Sequence, residues 1–120
     1  KIYENAYLST FPHQNFNIGD GVSILWGDII KGNITIGENS VIESSVNMTG
    51  SDDHPLVIGK NVLVKGTSYI FGSIIEDDVH VEHSVIIKKR IIRQERKDGT
   101  VQKVQFYLPM PAGLDVIEEL

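Results

Sequence analysis

An aliphatic residue returns every six positions from Ile18 through Ile24, Ile30, Ile36 and Ile42 to Met48. The beat restarts at Ile58, Val64 and Ile70, drops one residue, and continues at Ile75, Val81 and Ile87. A period of six matches neither the 3.6-residue stripe of an amphipathic helix nor the strict alternation of a half-buried strand. It suits short strands separated by corners, each strand sending one apolar side chain inward. Self-similarity at this period predicts an all-β chain folded as a parallel β-helix of about four to five coils. Three hexads make one coil of about 18 residues, and neighbouring coils lie about 4.8 Å apart.

The position four after each inward aliphatic is small or apolar in most hexads: Val22, Asp28, Ile34, Ser40, Val46, Val62, Ser68, Val79 and Val85. These residues are expected to share the narrow interior at the corners. Gly19, Gly37 and Gly59 each follow an inward Ile, where a tight corner needs either a positive φ or a close backbone approach. Stacking residues 18 apart, then 22 apart across residues 49–57, then 17 apart aligns two columns: Asp20, Glu38, Lys60, Asp77 and Leu25, Glu43, Lys65, Glu82. Opposite charges on neighbouring rungs favour that register by about 0.2–1 kcal/mol a pair.

The β-helix is placed over residues 1–92, with a loop inserted at 49–57. Residues 1–17, carrying Tyr3, Tyr7, Phe11 and Phe16, read as an imperfect first coil that caps the stack. His13, beside Pro12 and two amides, is read as having no functional role. The insertion from Thr49 to Val57 is rich in turn formers and should leave the prism as a loop, where function often resides. After Ile87 the beat stops. Residues 93–120 are assigned to a C-terminal β-hairpin and tail, with strands over 90–96 and 100–108 flanking the turn Lys97-Asp98-Gly99. A short helix is expected over 114–120, with apolar residues at 114, 117 and 120.

Composition narrows the function. Cysteine is absent, which excludes disulfides and thiolate metal sites and fits a cytoplasmic protein. No apolar run approaches the roughly 20 residues of a membrane span, and no secretory signal is legible. A net charge of −5 argues against nucleic acid as a partner. Seven of the eleven basic residues nevertheless lie between Lys88 and Lys103, a cluster that suits either a phosphate or a solvated edge.

Three segments resemble the γ-class carbonic anhydrases and their hexapeptide-repeat relatives. They are Ile18-Gly-Asp-Gly-Val-Ser-Ile24 followed by Gly27-Asp28, then Ile36-Gly-Glu-Asn-Ser-Val-Ile42, and His54-Pro-Leu-Val-Ile-Gly-Lys-Asn-Val62. The likeness runs from about residue 4 to residue 87, and hexapeptide acyltransferases share the repeat. It implies a left-handed helix of triangular section, against the usual right-handed parallel crossover. It also implies a homotrimer with zinc held between subunits by three histidines. The matching ligand places here are Thr49, Gly66 and Phe71. The family's Arg and Gln-Asp pair become Trp26 and Glu43-Ser44, and Asp28 alone of that polar set remains. Catalytic zinc needs three good protein ligands and an open water position. Thr, Gly and Phe do not supply them.

The favoured reading is therefore a trimeric scaffold or binding module without carbonic anhydrase activity and without a cofactor. A small-molecule or protein partner would sit at the subunit boundary, in a former cleft lined by Trp26, Asp28, Thr49, Tyr69 and Phe71. Two alternatives stand beside it. One is an acyltransferase using coenzyme A esters, with His54 as general base oriented by Asp53. The other is a relocated zinc site on His80 and His83, which follow two acids in Asp77-Asp-Val-His-Val-Glu-His83.

Overall fold

Short strands joined by tight corners can bury an apolar ladder only if successive coils stack. A computed structural model, which describes residues 1–95, 98–105 and 116–120, shows that arrangement. Three sheets are built from strands numbered in chain order. The first holds β1 (Tyr7–Ser9), β4 (Ile29–Gly32), β7 (Asn47–Gly50), β10 (Tyr69–Phe71) and β13 (Val85–Ile87). The second holds β2 (Phe16–Ile18), β5 (Ile34–Ile36), β8 (Leu56–Ile58), β11 (Ile74–Ile75), β14 (Lys89–Ile91) and finally β16 (Ile117–Glu119). The third holds β3 (Ser23–Ile24), β6 (Val41–Ile42), β9 (Leu63–Val64), β12 (Val79–Val81) and β15 (Gln102–Val104). The chain visits the three sheets in turn and forms a β-solenoid of about five turns.

Each sheet contributes one ladder to the interior. Leu8, Ile30, Met48, Ile70 and Ile86 stack in the first. Ile18, Ile36, Ile58, Ile75 and Ile91 stack in the second. Ile24, Ile42, Val64, Val81 and Val104 stack in the third. All except Leu8 and Ile18, in the first coil, are fully buried. At about 1.5–3 kcal/mol for each buried aliphatic side chain, these ladders dominate the energetics. Val22, Ile34, Val46, Val62 and Val79 fill the corners as expected, as do Asp28, Ser40 and Ser68.

Glycine serves the corners by allowing close approach. A Cβ on Gly37 would come within 2.6 Å of the Gly59 carbonyl carbon one coil on, so the stacking distance itself excludes a side chain. Positive φ is instead taken two residues later, by Gly21, Asn39, Asn61 and Asp78 in a single column. Apart from glycine, Asn and Asp are the residues that adopt that conformation most readily.

Both predicted columns stack in register: Asn61 N–H donates to the Glu38 carbonyl and Asp78 N–H to that of Lys60. Among the described residues, however, the first column holds no side-chain ion pair. Asp77 accepts the Lys60 backbone N–H at 2.8 Å instead. In the second column Glu82 meets Lys103, at 3.6 Å.

Three expectations fail near the C-terminus. Ile87 does not continue the inward beat, because it is 44% exposed while Ile86 is fully buried. The corner before β13 is one residue shorter than the corner stacked on it, so Ser84 N–H reaches Ser68 Oγ. Losing one residue exchanges the two faces of the strand that follows, which also brings Ser84 inward in place of Val85. The spacing there is 16, as in Ile70 to Ile86, not 17.

The second failure is the hairpin. β14 and β15 lie in different sheets, and β15 pairs in parallel with β12, so 89–104 forms a fifth coil. Gln102 secures it. Its buried side chain donates to the Ile92 carbonyl at 2.8 Å and accepts the Gln94 N–H at 2.7 Å. The third failure is the helix. Its described part contains the strand β16, antiparallel to β14. Residues 106–115, which include part of the expected strand and helix, lie outside the described residues, as do 96 and 97. No described helix is long and apolar enough to cross a membrane.

Candidate functional site

Strand geometry decides which predicted residues meet. On the first sheet the ladder points inward, so its neighbours point out in two columns. One column is Tyr7, Ile29, Asn47, Tyr69, Val85; the other is Ser9, Lys31, Thr49, Phe71, Ile87. Thr49, Tyr69 and Phe71 therefore share one outer face, with Phe71 directly beside Thr49. Trp26 stands half-exposed at the corner leading into this sheet, its ring 5.1 Å from that of Tyr3.

Asp28 does not line that face. It is buried, accepting Val46 N–H at 2.8 Å and Leu25 N–H at 3.1 Å. Burial pushes its pKa up to about 6, although the two backbone bonds pull it down. Its role here is to close a corner.

The places that match zinc ligands do not fit the ion. Thr49 and Phe71 are adjacent, but a phenyl ring has no lone pair to donate. Gly66 lies at a different corner, where a Cβ would come within 2.6 Å of the Ser44 carbonyl oxygen. His83 stacks on Gly66 and bonds its carbonyl through Nδ1, while His80 points outward from β12 between Leu63 and Lys103. Among the described residues no three His, Asp or Glu side chains are arranged to hold a metal.

His54 sits in the turn between β7 and β8. Its N–H donates to Ser51 Oγ at 3.0 Å, and Ser51 N–H donates to its carbonyl at 2.9 Å. The closed turn leaves Asp53 exposed at its tip, and no hydrogen bond joins Asp53 to His54 among the described residues. His54 packs over Gly72 and, with Pro55, Ile74 and Leu120, borders a shallow apolar groove of about 280 Å³.

Four of the basic residues between 88 and 103 are paired. Lys89 meets Glu119, Arg90 meets Glu76, Arg93 meets Asp78 and Glu95, and Lys103 meets Glu82. The Arg93 N–H, then Arg90, hold the Glu76 carboxyl below its ordinary range. The pairs of Arg90, Arg93 and Lys103 with Glu76, Asp78 and Glu82 fasten the last coil to the stack.

Among the described residues, the histidine with a carboxylate partner is His13. Its Nε2 lies 2.8 Å from Asp52 Oδ2, and Gln14 Nε2 donates to Asp52 Oδ1 at 2.9 Å. Gln14, then His13, hold the Asp52 carboxyl below its usual range. Beside this clasp lies an open groove of about 470 Å³, bordered by Phe11, Lys31, Thr49 and Ser51. Nothing local in the sequence joins His13 to Asp52. The available clue is spacing, because Leu8 to Ile18 and Met48 to Ile58 each span ten residues and so place two insertions at the same corner.

The chain matches no known family and no curated protein in sequence comparison.

Proposed function

We propose that this β-solenoid works as a self-associating scaffold, a homotrimer joined through the outer face of its first sheet, with a ligand or protein partner at the subunit boundary. One observation carries the reading. Tyr7, Ile29, Tyr69 and Ile87 stand 56%, 37%, 38% and 44% exposed on a single five-stranded face. Exposed apolar residues scattered singly need no explanation, whereas several gathered on one face of a rigid sheet mark an interaction surface. Three copies, not two, follow from the hexapeptide resemblance.

Sedimentation equilibrium tests this directly: three times 13.4 kDa is expected for the native chain. Ile29→Glu combined with Tyr69→Glu should give a folded monomer. A native monomer across the accessible concentration range would remove the proposal. Stoichiometric zinc accompanied by CO2 hydration would overturn the non-enzymatic reading.

Acyl transfer has less support, since among the described residues no carboxylate bonds His54 and its groove is small, about 280 Å³. Binding of a coenzyme A ester that His54→Ala abolishes would restore it.

A further inference from the structure

We propose that the groove between the loop following β1 and the loop following β7 binds a small aromatic monocarboxylate. The floor owes its concavity to two stacked glycines: a Cβ on Gly32 would lie 1.9 Å from the Gly50 carbonyl oxygen, so no side chain fills the corner. The walls are the two loops, held together by the His13, Gln14 and Asp52 clasp. Phe11 N–H donates to Gln14 Oε1 at 3.0 Å, which fixes the near wall to the same clasp. About 470 Å³ is within the range of sites that enclose small organic ligands.

The chemistry of the lining selects the ligand. Phe11 is 67% exposed, with His13 stacked parallel to it at 6.0 Å between ring centres. This aromatic pair offers a flat apolar surface to a ring. Both Asp52 oxygens are engaged by the clasp, one by His13 and one by Gln14, which turns the carboxylate toward the loops. Lys31, on the outer column of β4, has no ion-pair partner among the described residues. One uncommitted ammonium beside an apolar wall suits a single carboxylate, with the Thr49 and Ser51 hydroxyls at the floor to orient it. A phosphate dianion would ask for further cations or a nest of backbone N–H groups, and the groove has one lysine.

The groove shares Lys31 and Thr49 with the outer face proposed for self-association. A ¹H–¹⁵N NMR titration with 2-naphthoate is therefore run on the native chain and on the monomeric Ile29→Glu, Tyr69→Glu chain, where binding is expected to persist. Saturable shifts are expected at the amides of Phe11, Gly32, Gly50 and Ser51. Lys31→Met should weaken binding roughly tenfold, and 2-naphthol should bind the native chain as weakly as 2-naphthoate binds that variant. Acetate should not saturate the site, and His54→Ala should bind normally. No saturable shift at roughly millimolar naphthoate would overturn the proposal. So would shifts centred elsewhere, unchanged affinity in Lys31→Met, or equal binding of inorganic phosphate.

Discussion

Asp28 offers a quantitative test of the packed interior. Its carboxylate is wholly enclosed and accepts two backbone N–H groups, and among the described residues no cation pairs with it. Burial dominates and carries the pKa from 3.8 to about 6. Because the folded value lies above the unfolded one, the group's contribution to stability is complete below the unfolded value. That contribution is lost as pH rises through the folded value. A difference of roughly two units is worth about 3 kcal/mol. Asn at this position does not titrate. The stability of the native chain relative to Asp28→Asn should therefore fall by about 3 kcal/mol between about pH 4 and pH 7. The fixed cost of placing an amide there shifts both ends of the curve equally. Urea unfolding followed by circular dichroism measures the difference, at matched ionic strength and protein concentration. If the two stabilities run parallel across that range, desolvation does not dominate and the account of this corner is wrong.

Four other substitutions probe the coil geometry. Ile86→Ala should cost about 2–5 kcal/mol by leaving a cavity, while Ile87→Ala in the monomeric Ile29→Glu, Tyr69→Glu background should stay within about 0.5 kcal/mol; urea midpoints compare the pair. Gly32→Ala imposes a φ of +93° on a residue whose Cβ would strike the Gly50 carbonyl, so a loss above about 3 kcal/mol is expected, read from thermal unfolding. Gln102→Leu removes both side-chain bonds to 92–94 and should cost about 1–2 kcal/mol, with faster amide exchange at Gln94 as the local signature.

The inward ladder was legible because each hexad repeats one local solution. An Ile or Val at its first place is wanted by every coil, so the period survives insertions such as 49–57. The columns from Asp20 to Asp77 were likewise correct in register, since backbone stacking fixes them whatever their side chains do. The face holding Thr49, Tyr69 and Phe71 follows from the same alternation. Asp28 was misplaced because its carboxylate looks like site chemistry in a string of letters. In the fold, the corner position four after Ile24 points it inward.

Where the chain departs from its period, local signals ceased to decide. Asp98-Gly99 is turn chemistry in either a hairpin or a coil corner. The choice fell to the open edge of β12, whose unpaired backbone groups take Gln102–Val104 in parallel. The shortened corner before Ile86 is invisible until Ser84 is seen beside Ser68. The clasp between His13 and Asp52 spans 39 residues and exists only because two insertions emerge at one corner of stacked coils. Sequence thus determined the solenoid, since a periodic core is a sum of local preferences. Tertiary structure alone decided the groove and the last coil, since both depend on which distant segments the stack brings within bonding distance.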